Sequence, residues 1–117
     1  MTSDTIFVAN LGDSRIVLAR TEDGNLIGEQ LSEDHKPSLP EEKQRIKAAD
    51  GSVESNRVNG FLSTSRSIGI LRFKSKYEIP IDAQLVSGIP DTTVVKREPT
   101  HRFLILSSDG IWDCVSN

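Results

Sequence analysis

The sequence predicts an α+β domain, an antiparallel strand-rich chain with one central helix and the opening of another. Three observations lead there. Short β-rich runs of strand length recur along the chain, each bounded by Gly, Asp, Asn or Pro signals. The turns between the first three runs are tight, as in an antiparallel meander. One segment, PEEKQRIKAA at residues 40–49, is made of strong helix formers. With 117 residues the chain is long enough for one domain and too short for two, so residues 1–117 are read as a single domain.

The elements follow in order. Residues 6–11 alternate and are β-rich, and Gly12-Asp13-Ser14 reads as a turn. Residues 15–20 (RIVLAR) then carry a continuous apolar stretch. Together they predict a β-hairpin whose second strand is buried on both faces. Glu22-Asp23-Gly24-Asn25 is another strong turn signal, leading into a third strand over residues 26–31. Pro37 and Pro40 forbid regular structure through Asp34-His35-Lys36-Pro37-Ser38-Leu39. Pro40 is a good first-turn proline, Glu41 and Glu42 suit the helix dipole, and Asp50-Gly51 ends the helix over 40–49. Ile46 and Ala49 form the face expected to pack on the sheet, the rest of the helix being too polar for deep burial. Residues 52–69 are irregular with short extended pieces, and residues 70–83 read as an exposed excursion. TTVVKRE (92–98) and RFLILS (102–107) are read as two strands around a Pro99-Thr100-His101 turn. Residues 111–117 look like the opening of a helix, so a chain that stops there reads as truncated.

Composition excludes several classes. Hydrophobic residues make up 36% and charged residues 26%, ordinary for a globular protein. The net charge is −3 and no basic block stands out, which argues against nucleic acid as a partner. Apolar runs are far short of a membrane span, and the start has no secretory pattern. Cys114 is the single cysteine, so neither a disulfide framework nor a zinc cage is available, and a reducing compartment, cytoplasm or nucleus, is expected. There is no Gly-x-Ser-x-Gly elbow, no Walker-type phosphate loop and no thiol-phosphatase arrangement around Cys114.

Carboxylates remain. Asp109 follows the apolar run FLIL and precedes Gly110, where a strand delivers a side chain from a rigid scaffold. Asp113 lies four residues on, and a helical turn between them stacks both on one side. Two carboxylates held that close repel unless a cation lies between them, and hard cations take such oxygen ligands. The competing reading makes Asp109 a turn and cap residue and Asp113 a member of a solvated face. Asp13 sits in the predicted hairpin turn, where aspartate is common for local reasons. His35 is expected to be structural, His101 solvated, and Trp112 a core or interface anchor.

Four segments in order carry a resemblance. Ala9-Asn10-Leu11-Gly12-Asp13-Ser14-Arg15 resembles the AN-x-GDSR turn of the PP2C (PPM) family of metal-dependent serine/threonine protein phosphatases. Asp34-His35-Lys36-Pro37 with Glu42, Arg45-Ile46 and Gly51-Ser52-Val53 is similar to the next block of that family. Arg57-Val58-Asn59-Gly60, Leu62, Ser65-Arg66 and Gly69 resemble a third, and Ser108-Asp109-Gly110-Ile111-Trp112-Asp113 resembles its CDGIWD block.

The resemblance implies a PP2C-like antiparallel β-sandwich, two packed sheets with flanking helices, here truncated at both ends. It implies a two-metal centre of Mg²⁺ or Mn²⁺ at which a bridging water attacks phosphoserine or phosphothreonine in protein substrates. Asp109 matches the core metal ligand, while Asp113 and Asp13 match aspartates that help hold an additional, weaker metal. Residues 70–83 correspond to the flap beside the catalytic cleft, and Arg66 to a motif arginine with no catalytic role assigned. Two departures stand out. Ile70 replaces the aspartate that follows the motif glycine, and the family's upstream Glu, Asp-Gly-His-x-Gly and Arg, with its late Asp-Asn aspartate, have no counterpart in these residues. The expected function is therefore a small or truncated metal-dependent phosphatase with an incomplete site; the alternative is a catalytically inactive regulatory fragment. Missing outer strands would expose sheet edges, which predicts a homodimer formed through them.

Overall fold

The second strand organises the chain. In the computed structural model, which describes residues 1–116, the elements are β1 (Thr5–Asn10), β2 (Arg15–Glu22), β3 (Asn25–Gln30), α1 (Pro40–Ala48), β4 (Val53–Glu54), β5 (Arg57–Val58), β6 (Asp91–Lys96), β7 (His101–Ser107) and α2 (Asp109–Trp112). β2 is the centre of a three-stranded antiparallel sheet, with β3 on one side and β7 on the other. Val17, Leu18 and Ala19 are buried in succession, so the strand is covered on both faces as its unbroken apolar run predicts. The turn at Asp23-Gly24 joins β2 to β3 with Glu22 opposite Asn25 and both turn residues at positive φ (50° and 80°). Asp-Gly is the pair that such a two-residue turn favours.

The meander is not complete. β1 does not form a hairpin with β2; it pairs antiparallel with β6, from Thr5 opposite Lys96 to Asn10 opposite Asp91. β6 and β7 likewise do not pair with each other, since β7 lies against β2 from Arg15 opposite Ser107 to Ala19 opposite Phe103. Both corrections have one cause. Ile6 and Val8 of β1 pack on Leu18 and Leu31, joined by Ile16, Val95 and Leu104. A hairpin would set β1 beside β2 and leave this apolar face without a covering layer. Burying a Leu or Ile side chain is worth roughly 1.5–3 kcal/mol, more than one cross-strand pair contributes. Sequence neighbours therefore separate into facing sheets, and the strand-rich part is a β-sandwich.

These strands form one of two compact units: residues 1–10, 14–34 and 91–116 make the first, and residues 11–13 with 35–90 the second. The second unit has its own core of Ile46, Val58, Phe73 and Val86, with Val53, Leu62, Ile70 and Leu85 packed against it. α1 starts at Pro40 with Glu41 and Glu42 in its first turn and ends before Asp50, at φ 59°. Ile46 and Ala49 are buried as expected, and Ile46 packs in this core with Val58, which is paired with Val53. The expectation that the rest of α1 is too polar to bury fails at Glu42, which is 2% exposed. β4 and β5 form a minute hairpin around Ser55-Asn56, both at positive φ. Residues 70–83 contain no strand; Leu71–Phe73 make a 3₁₀ turn, with Leu71 and Tyr77 exposed and Phe73 buried. No helix among the described residues is long and apolar enough to cross a membrane. Asn117, the last residue of the expected terminal helix, lies outside the described residues.

Candidate functional site

β7 delivers the acidic turn. The strand ends at Ser107, Ser108 remains extended (φ −76°, ψ 172°), and Asp109 opens α2. The Asp113 amide donates to the Asp109 carbonyl at 2.8 Å and the Val115 amide to Ile111 at 2.9 Å. The two aspartates are thus one helical turn apart on the same side, as their spacing predicts. Asp109 is half-buried and Asp113 exposed, and neither carboxylate makes a side-chain hydrogen bond or ion pair with another described residue. The cap position falls on Ser108 and Asp109 is the first residue of α2, so the competing reading of Asp109 as the helix cap does not hold. The Ser108 hydroxyl makes no capping bond, which leaves the acidic side chain as the favourable charge at this helix start.

Trp112 anchors the turn to the sheet. Its indole N–H donates to the Ser107 carbonyl at 2.9 Å and lies 3.3 Å from that of Arg15. The Arg15 guanidinium sits over the ring, with Cζ 5.3 Å from the centroid. On its other side it makes a two-pronged pair with Asp34, Nε to Oδ1 at 3.0 Å and Nη2 to Oδ2 at 2.8 Å. Hydrogen bonding to Asp34 raises the Arg15 pKa against the opposing effect of burial, with the charges of Asp34 and Asp113 adding to it.

Asp13 belongs to the second unit and is held differently. Its carboxylate is paired with Lys36 Nζ at 2.9 Å. The neighbouring backbone is fixed by His35, which is 1% exposed. Its Nδ1 accepts from the Gly12 amide at 3.0 Å, while its own amide donates to the Gly12 carbonyl at 3.0 Å. Accepting at Nδ1 sets the proton on Nε2 when the ring is neutral. Gly12 has φ 112°, a conformation that a side chain would strain. The sequence places Asp13 in a hairpin turn; it lies instead where the chain leaves β1 and returns to β2. His35 is structural, as expected.

Sequence reasoning missed a buried carboxylate. Glu42 Oε1 accepts from Arg66 Nε at 2.9 Å and Nη2 at 2.7 Å, and Oε2 pairs with Arg45 Nη1 at 2.6 Å. The Ser65 hydroxyl also donates to Oε2. Arg45 continues to the Ser65 and Gln84 carbonyls. Burial pushes the Glu42 pKa up, but the bonds from Arg66, Ser65 and Arg45 outweigh it and hold the group below its ordinary value. Two signals were present: Glu42, Arg45, Ser65 and Arg66 are all among the motif residues of the resemblance, and the Glu42–Arg45 spacing suits an i,i+3 pair, but neither says anything of burial.

Asp109 and Asp113 fit a hard cation in donor type, and their carboxylates are accessible and uncommitted. Mg²⁺ is often held by one or two carboxylates, with water and substrate phosphate completing its shell. No group of three or more His, Cys, Asp or Glu placed to hold a metal occurs among the described residues. The protein phosphatase 2C family model matches Met1–Asn117. Probable protein phosphatase 2C 60 of Arabidopsis thaliana is 44% identical over 112 residues, covering 96% of this chain and 30% of that protein. Protein phosphatase 2C homolog 2 of Schizosaccharomyces pombe is 46% identical over 112 residues, covering 96% of this chain and 29% of that protein. Among solved structures, the serine-threonine phosphatase 2C from Toxoplasma gondii matches with TM-score 0.82 at 33% identity, over 98% of this chain and 40% of that one. The chain spans about 30% of the length of these curated relatives. The acidic turn, the sandwich that presents it and these likenesses over nearly every residue place the chain in the protein phosphatase 2C family.

Proposed function

We propose that the chain carries part of the site of a metal-dependent protein serine/threonine phosphatase, acting on phosphoserine and phosphothreonine with Mg²⁺ or Mn²⁺ as the cation. The observation that carries this reading is the pair of uncommitted carboxylates, Asp109 and Asp113, stacked at the end of a rigid strand. A bound cation of this kind lowers the pKa of coordinated water and neutralises charge on a transferring phosphoryl group. Asp109 is the ligand fixed by the strand, and Asp113 adds a second oxygen. Asp13 is assigned to the weaker auxiliary position, for which it must exchange its Lys36 partner. Two fixed carboxylates bind a strongly hydrated ion weakly, so activity is expected only at high cation concentration.

Hydrolysis of p-nitrophenyl phosphate and of a phosphothreonine peptide tests the proposal. Turnover is expected with Mn²⁺ or Mg²⁺, lost on chelation with EDTA and restored by excess Mn²⁺. A second reading, a catalytically inactive fragment that binds phosphoproteins, is favoured by the absence of a third metal-binding side chain beside the pair among the described residues. It predicts no turnover with any cation, in protein shown to be folded, together with retained phosphopeptide binding. Cys114, a free and exposed thiol, fits a reducing compartment, cytoplasm or nucleus, for either reading.

Self-association belongs to the same proposal. β3 and β7 each pair only with β2 among the described residues, leaving two sheet edges. Every residue of β3 is exposed, and Phe103, Ile105 and Leu106 of β7 are exposed as well. A long apolar edge is a template for pairing with a second copy. Sedimentation velocity at high micromolar concentration is expected to show a dimer; a single monomer boundary would end this part of the proposal.

A further inference from the structure

Asp109 and Asp113 owe their placement to a turn of four residues, too short to hold its position by its own hydrogen bonds. What ties it to the sheet is Trp112, through its indole bond to Ser107 and the Arg15 guanidinium over its ring. The guanidinium is itself immobilised by two parallel bonds to Asp34, with the two side chains 19% and 15% exposed. β2, the 31–34 segment and α2 therefore meet at one cation–indole stack. We propose that Arg15 is a positioning residue for the acidic turn: locked by Asp34 and stacked on Trp112, it holds α2 against the sheet, so that cation binding at Asp109 and Asp113 depends on a side chain that is not itself a ligand. The dependence on cation binding rests on the phosphatase reading above; the restraint on α2 does not.

Electrostatics and positioning give opposite signs here, which makes the proposal decidable. Arg15 is a fixed positive charge whose field reaches Asp113. If charge alone mattered, removing it would tighten Mn²⁺ binding. If Arg15 positions the turn, removing it weakens binding despite the lost repulsion. Lysine keeps the charge but neither the planar fork nor the stack, so it is not expected to rescue. Trp112 is the single tryptophan, and its emission reports on the stack without reference to activity.

The experiment measures Mn²⁺ affinity from the free-ion paramagnetic resonance signal, with tryptophan emission and acrylamide quenching, for the unaltered chain, Arg15→Met, Arg15→Lys and Asp34→Asn. Far-UV circular dichroism confirms that each is folded. Both Arg15 substitutions are expected to weaken Mn²⁺ binding about tenfold, the lower end for loss of a group supporting metal ligands, and to shift Trp112 emission to the red with greater quenching. Asp34→Asn, which keeps Arg15 but releases half of its lock, should do the same to a smaller degree and carries the test if an Arg15 variant does not fold. Unchanged or tighter Mn²⁺ binding in Arg15→Met would overturn the proposal. Absence of Mn²⁺ binding to the unaltered chain would remove the phosphatase reading alone. In that case a red shift in Arg15→Met supports the restraint, and unchanged emission overturns it.

Discussion

Replacing Glu42 by Gln is expected to destabilise the chain by about 3–5 kcal/mol, the loss typical of removing one partner from a buried ion cluster. Glu42 is 2% exposed and its carboxylate is the common acceptor for Arg66, Arg45 and Ser65. Glutamine keeps the shape but loses the charge, leaving two guanidinium groups facing a neutral amide whose N–H groups point more donors at them. Because domains of this size are stable by only about 5–15 kcal/mol, such a loss removes a large share of the total. The pH dependence follows from the same contacts. Glu42 is held below its ordinary pKa, so its contribution is fully present above the ordinary carboxylate range and disappears as pH falls through the lowered folded value. Urea denaturation of the unaltered chain should thus lose stability on acidification, and the Glu42→Gln chain should lose less over the same interval. A difference at neutral pH below about 1 kcal/mol, the range of exposed ion pairs, would show that the cluster is solvated in solution.

What the sequence revealed and what it hid divide along a physical line. The β2–β3 hairpin was legible because Asp23-Gly24 encodes its turn locally, and the burial of β2 was legible from the unbroken apolar run Ile16-Val17-Leu18-Ala19. α1 was legible from Pro40 and the Asp50-Gly51 stop. The partners of β1 and β7 were not, because strand pairing across a sandwich is decided by which apolar faces need covering, a property of the assembled layers. Chain proximity suggested hairpins at Gly12-Asp13-Ser14 and Pro99-Thr100-His101, and packing overruled it. In the site, the stacking of Asp109 and Asp113 could be read from a spacing of four. The Arg15–Asp34 pair spans 19 residues and the Arg66–Glu42 pair 24, and no local pattern announces either. Glu42 was concealed for a further reason. Helical periodicity locates apolar stripes, and a carboxylate buried among arginines carries no such mark.

The second large effect falls on Asp109. Asparagine at this position preserves size and one oxygen but removes the negative charge that a hydrated divalent ion requires. The backbone bond from the Asp113 amide to the residue-109 carbonyl does not involve the side chain, so α2 should persist. A bound metal contributes several kcal/mol of charge stabilisation, and each 1.36 kcal/mol is a factor of ten in rate, so the loss should reach about 100-fold or more. Asp113→Asn, which removes an exposed and less rigidly held oxygen, should chiefly raise the cation concentration needed for half-maximal rate.

The most direct measurement is therefore Mn²⁺-dependent hydrolysis of p-nitrophenyl phosphate by the unaltered chain and its Asp109→Asn form, both confirmed as folded. Turnover that requires Mn²⁺ and is abolished by the substitution is the expected result, with Asp109 as the ligand that matters. Equal rates in the two proteins, whether both measurable or both at background, would contradict it and leave a phosphoprotein-binding role as the reading to pursue.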